Sequence, residues 1–206
     1  MNYTEIRDLA LSYSDREDSD IISRIDGFLY MVECKLNRLL MSNEMEVTNI
    51  INYIADSIYE YALPSDFGEL RTISVITTGD VNSKIPLELI NPDQMAWAKL
   101  NSSSGMYYSI NNGKLEIYSS LSSTQSILLK YLQHVPKLTS IVTTNWLSIK
   151  YPDLYVVGLL VEISTFAKDW DAVSNFNTRF DAVVNDTILK DKRAKHSGNP
   201  MRVRVG

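Results

Sequence analysis

Apolar residues recur at helical spacing near the start of the chain. Between positions 18 and 40, Ile21, Ile25, Phe28, Val32, Leu36 and Leu39 follow one another at intervals of three or four, which lays one continuous apolar stripe along a helix. Asp18 or Ser19 can cap its start, and the acidic run DREDSD sits where the helix dipole favours negative charge. Before it, residues 3–12 suit an opening turn or short helix.

From position 47 to about 136 the period changes to two and turn residues multiply. LRTISVITTG, KIPLELI, MYYSINNGKLEIYSS and SILLKYLQHV are short runs rich in β-branched and aromatic residues, and together they predict a small antiparallel sheet. The NNG at 111–113 is a hairpin turn, because Asn and Gly tolerate positive φ. INPDQMAWAKL interrupts the sheet with a short helix, capped by Asn91 with Pro92 at its first position. Residues 101–104 and 119–124, rich in serine, read as exposed loops.

Helical spacing returns in the last third. Asn145 caps a short turn, and a longer helix starts at Pro152 and ends near Lys168; its apolar residues cover more than one face, which predicts the most buried helix of the protein. A second long helix follows, with Val173, Phe176, Phe180, Val183 and Ile188 on one stripe, a basic last turn, and Gly198 and Pro200 as its stop. The expected fold class is α+β. A helical bundle forms from the N-terminal and C-terminal helices (1–46 and 137–196), a small antiparallel β region (47–136) is inserted in it, and an extended tail (197–206) follows. The insertion follows from burial, since the first long helix needs the two late ones to cover its stripe. In the tail, Met201, Val203 and Val205 alternate with Arg202 and Arg204, and a lone strand cannot satisfy its own backbone. Either the tail is disordered or it pairs with something.

Composition narrows the classes. The chain has 206 residues, 45% of them hydrophobic and 22% charged, ample for a packed core. A formal net charge of −5 argues against a general nucleic-acid binder, since that affinity comes from clustered Lys and Arg. Cys34 is the only cysteine, so no disulfide within the chain is possible, and a place on an apolar helix makes it a core residue. MNYTEIRDL does not resemble a secretory signal, and the most apolar run, LYVVGLLVEISTFA, contains Glu162 and falls short of the roughly 20 residues a spanning helix needs. A soluble cytosolic chain with no membrane contact is expected.

Reactive constellations are not evident. His134 lies near a strand end and His196 in the basic tail, neither with reason to meet Cys34. Asp169 and Asp171 flank Trp170 between two helices, where Asp serves as a cap. DREDSDIISRID lacks the Gly and the final Glu of a calcium loop, and GDVNSK lacks the ending of a phosphate loop. Glu162, a carboxylate on the most apolar helix, has two readings: an acid with a raised pKa, or half of an ion pair with an arginine of a neighbouring helix or subunit. No catalytic residue, cofactor or metal is expected, and the protein is read as a non-enzyme.

Two stretches are more distinctive. In YALPSDFGELRTISV (61–75), Pro64 keeps Leu63 extended, Asp66 can close a turn through its side chain, and Phe67 can anchor the strand that follows. In NWLSIKYPDLYVVGLL (145–160), Trp146, Tyr151, Leu154 and Tyr155 anchor the start of the central helix, with Pro152 in its first turn and Asp153 favourable to its dipole. Their order, with a β region between them and a helical hairpin and basic tail after them, resembles the head-to-tail adaptor proteins of tailed bacteriophages, especially short-tailed ones. The resemblance covers nearly the whole chain. It implies a structural virion protein of the neck between capsid and tail, assembled in the host cytoplasm as a ring of about twelve copies beneath the portal protein. Such a ring lengthens the DNA channel, lets the genome pass without sequence-specific binding, and offers a platform to tail nozzle or tail fibre proteins. The C-terminal segment of such proteins reaches the portal, which would make Met201, Arg202, Val203, Arg204 and Val205 a strand added to a portal sheet edge. Two other readings remain: a different neck or tail-completion ring protein, and a virion-associated hydrolase acting through carboxylates.

Overall fold

The structure, a computed structural model, describes residues 1–16, 18–52, 60–101, 105–118 and 125–196. The chain opens with helices α1 (Tyr3–Ser14) and α2 (Ser19–Leu39) and a single 3₁₀ turn (Asn43–Met45). Strands β1 (Glu46–Asn52), β2 (Glu60–Ala62), β3 (Phe67–Thr77), β4 (Asp80–Pro86) and β5 (Glu88–Leu89) come next. Helix α3 (Pro92–Leu100) separates these from β6 (Tyr107–Asn111), β7 (Lys114–Tyr118) and β8 (Gln125–Gln133). Helices α4 (Trp146–Lys150), α5 (Pro152–Phe166) and α6 (Trp170–His196) follow. The class is α+β, and the chain divides into two compact units, Met1–Glu44 with the chain from Val135 onward, and Met45–His134.

In the first unit α5 packs against α1, α2 and α6. Ten of its fifteen residues are buried, Leu154 to Val161 without a break, so it is apolar all round as the sequence indicates. Close approach depends on Gly158, where an added Cβ would lie 2.6 Å from Val32 Cγ1 and 3.2 Å from Phe180 Cε2. Helix α1 is longer than a turn because a capping box secures its start: Asn2 Oδ1 accepts from the Glu5 amide and the Glu5 carboxylate accepts from the Asn2 amide, both at 2.9 Å. Along α2 the stripe is buried at Ile21, Ile25, Phe28, Val32 and Leu36, but Leu39 is 40% exposed. The chain turns extended at Leu40 (φ −91°, ψ 135°), and this residue is buried instead. Asp18 stands at the cap position of α2 with no side-chain hydrogen bond to the helix. On α6, Phe180, Val184 and Thr187 are buried, while Val173, Phe176, Val183 and Ile188 flank them half-buried. Cys34 is half-buried, more open than its stripe suggested.

The second unit holds two four-stranded sheets, in the orders β1-β8-β3-β4 and β2-β7-β6-β5, in place of one small antiparallel sheet. The second sheet is mixed, since β5 and β6 run parallel. KIPLELI reads as one strand, but Pro86 ends β4, and β5 then needs a crossover, α3, to reach a parallel partner. Asn91 and Pro92 start α3 as expected, with Asn91 Oδ1 accepting from the Gln94 amide at 2.7 Å. The NNG hairpin forms between β6 and β7, with φ 50° at Asn112 and 72° at Gly113. Ile73, Val75, Ile127, Leu129 and Tyr131 from the first sheet share one core with Leu115 and Ile117 from the second. The entry strand β1 and exit strand β8 are antiparallel neighbours, Glu46 opposite Leu132, so this unit begins and ends at the same end of two adjacent strands.

The tail residues Met201, Arg202, Val203, Arg204 and Val205, the helix stop Gly198 and Pro200, and loop residues 102–104 and 119–124 lie outside the described residues.

Candidate functional site

The first distinctive stretch joins the two sheets of the β unit. The Leu63 amide donates to Gly113 O at 3.4 Å beyond the end of β2, and the Phe67 amide donates to Pro64 O at 3.0 Å, closing a turn that hands the chain to β3. Backbone atoms make this turn. The Asp66 side chain does something else: it accepts from the Tyr131 hydroxyl at 2.9 Å, while the Asp66 backbone carbonyl accepts from the His134 amide at 2.7 Å, and together they pin the end of β8. The Phe67 ring lies 5.4 Å from that of Tyr131, and Leu63 and Phe67 pack against the shared core. Burial and the Asp66 carboxylate push the Tyr131 hydroxyl up to about 12. Gly68 is required next to this turn, because a Cβ there would lie 2.9 Å from Leu132 O at the irregularity in the β3–β8 ladder.

The second stretch organises the start of α5. Asn145 caps α4, with its Oδ1 accepting from the Ser148 amide at 2.7 Å, while its Nδ2 donates to Pro136 O at 2.6 Å and to the Tyr155 hydroxyl at 2.8 Å. Tyr155 is fully buried, and the cost of ionising it there pushes its hydroxyl pKa far above the ordinary range. Pro152 opens α5, exposed Asp153 lies in its first turn, and Tyr151 receives the Lys190 ammonium 4.9 Å from its ring centroid. Trp146 is half-buried, and its Nε1 has no hydrogen-bond partner among the described residues.

Two α2 side chains without a role in the sequence reading hold the connector that follows β8. Asn37 Oδ1 accepts from the Val135 amide at 2.8 Å, and Glu33 Oε1 accepts from the Leu138 amide at 2.7 Å. Glu33 is 3% exposed, and burial raises its carboxyl to about 7, against the pull of the Leu138 amide and the Lys137 charge. A signal was present: Leu29, Glu33, Leu36 and Leu40 recur at intervals of four, three and four, so a carboxylate occupies a position on the apolar stripe.

The other candidate groups do not converge. Glu162 is half-buried with its carboxyl raised by burial, and the charge it faces belongs to Lys35 of α2 rather than to an arginine. Lys35 Nζ also lies 4.3 Å from the Phe180 ring centroid. Asp169 caps α6, accepting from the Ala172 amide at 3.2 Å. Among the described residues no group of three or more His, Cys, Asp or Glu side chains is placed to hold a metal, and no helix is long and apolar enough to cross a membrane.

What the β unit does present is apolar surface. Leu89, Trp97 and Leu100 are 63%, 64% and 84% exposed. Leu89 also lines an open groove of about 640 Å³, with Leu70, Ile90, Pro92, Tyr108 and Ile110. Side chains of that kind on a surface suit contact with another protein better than chemistry. None of the curated proteins matches the chain in sequence. The profile described as SU10 adaptor protein matches residues 1–204, nearly end to end, and the chain belongs to that family of phage head-to-tail adaptors.

Proposed function

We propose that the protein assembles as a ring, of about twelve copies, beneath the portal at the capsid vertex, lengthening the DNA channel and offering the tail its platform. The observation that carries this reading is the family match across residues 1–204, which leaves no part of the chain for an unrelated domain. A structural adaptor in the virion neck meets portal protein on one side and tail proteins on the other. Assembly takes place in the host cytoplasm before the tail is attached.

Several features support the finer parts of the reading. Residues 1–46 and 137–196 act as one helical bundle around α5, with 47–136 inserted as a β unit whose entry and exit strands are paired. The exposed Leu89, Trp97 and Leu100 provide part of the apolar contact between copies. Closure on a portal template supplies the rest through repetition around the ring. A net charge of −5 suits a lumen that lets phosphates slide. The stretches around Leu63, Pro64, Asp66 and Phe67, and around Trp146, Tyr151, Pro152, Asp153 and Tyr155, are scaffolding rather than reactive sites. Met201, Arg202, Val203, Arg204 and Val205 add as a strand to a portal edge, with backbone bonds giving affinity and the arginines meeting acidic partners.

The test is co-sedimentation with the portal protein of the same phage. The full chain is expected to sediment with the portal, and a folded chain ending at His196 to stay in the supernatant. Equal binding by the shortened chain would remove the tail from the contact, and failure of the full chain to bind would remove the portal as partner.

A further inference from the structure

The connector of residues 135–145 has no regular structure: Thr139 closes a turn within it by accepting from the Ile141 and Val142 amides, and its ends are tied to other elements. Its far end is secured by the Tyr3 amide, which donates to Thr143 O at 2.7 Å, and by Asn145 on Pro136 O. Its near end hangs on α2, through Asn37 at Val135 and Glu33 at Leu138. Asn37 does not titrate. Glu33 does, and it is the more buried of the two.

We propose that Glu33 is a proton-controlled latch for this connector: neutral, it holds Leu138 against α2; ionised, it lets the segment go. The neutral acid satisfies the Leu138 amide with its carbonyl oxygen and needs no counter-charge. An ionised carboxylate in the same place is without an ion pair among the described residues. Three groups face it: Lys137 from the connector, Tyr155 from α5 and Tyr30 from its own helix. Of these only Lys137 carries charge, and its ammonium is placed 4.5 Å from the Tyr30 ring centroid. Ionisation is therefore relieved by movement: the carboxylate reaches water only if the connector lifts from α2. Burial raises the carboxyl from 4.5 to about 7, so the closed latch weakens up to about tenfold per pH unit between these values and changes little above them. The latch adjoins the point where the chain passes from one unit to the other, since the His134 amide is held by Asp66 of the β unit and the next amide, that of Val135, by Asn37.

Hydrogen exchange of the Leu138 amide, corrected for the intrinsic pH dependence of exchange, reads the latch directly. With folded and free carboxyl pKa values of about 7 and 4.5, protection should fall about tenfold between pH 6 and pH 8 in the natural chain. In Glu33→Gln, which keeps the acceptor and cannot ionise, Leu138 protection should stay level; Glu33→Met should be level too, at lower protection. Unchanged protection in the natural chain overturns the proposal. So does the same fall in either variant, or an equal fall throughout α5, which would mean global unfolding rather than release of the connector.

Discussion

Gly158 sets how closely the central helix can approach its neighbours. In isolation Gly→Ala within a helix is favourable by roughly 1 kcal/mol, but here the new methyl would press on Val32, whose branched side chain has one good rotamer in a helix. The clash wins. Gly158→Ala should lose about 1–3 kcal/mol in urea unfolding, and adding Val32→Ala should restore part of the loss relative to Val32→Ala alone. Glu33 gives the residue scale a pH dependence. Its folded pKa of about 7 lies above the ordinary 4.5, so its contribution is fully present below about pH 4.5 and is lost as pH rises through 7. Between pH 5 and pH 8 the natural chain should lose about 2–3 kcal/mol more stability than Glu33→Gln, measured by denaturant unfolding at both pH values. Parallel curves for the two proteins would show that Glu33 has the same pKa folded and unfolded.

At the scale of elements, three asparagines cap helices, and their surroundings separate them. Asn91 is exposed and Asn2 half-buried at their helix starts, whereas Asn145 is buried and also serves Pro136 and Tyr155. Asn91→Ala should cost about 1 kcal/mol and Asn145→Ala clearly more, since it strands the buried Tyr155 hydroxyl as well as the helix end. Thermal unfolding of the two variants makes the comparison. Elements of this kind were legible because their chemistry is local: Asn91-Pro92 starts α3, Asn112-Gly113 turns a hairpin, and Pro152 opens a helix apolar on every side. The strands read wrongly are defined by partners: the alternating runs single out neither β1 nor β2, and KIPLELI merges β5 with β4. β2 has three residues and β5 two, too short to show a period, and their pairing with β7 and β6 is fixed by contacts distant in sequence. Leu39 failed as a core residue for a related reason, since it is the last residue of α2 and the backbone, turning extended at Leu40, buries that side chain instead. Asp66 was legible as a turn residue but not as the partner of Tyr131, because 65 positions separate them.

For the whole molecule, sequence motifs led to the family, and the profile match over residues 1–204 established it. No catalytic pattern offered a shorter route, because an adaptor works through surfaces and its residues are ordinary ones. Copy number and partner faces depend on other chains, whose residues this sequence does not contain. The tail carries the sharpest assembly prediction: Val203→Pro should weaken portal binding more than Val203→Ala, since proline removes a backbone donor and alanine only part of a side chain. Equal effects in a portal pull-down would rule out strand addition. Sequence-specific retention of duplex DNA at physiological salt would likewise be at odds with a channel that lets any genome pass. The most direct measurement is electron microscopy of the purified chain, alone and mixed with the portal protein of its phage. Monomers or small oligomers are expected alone, and one closed ring stacked coaxially on each portal in the mixture. Portals that remain bare at micromolar chain concentration, or chains bound singly around the portal's side, would contradict ring assembly.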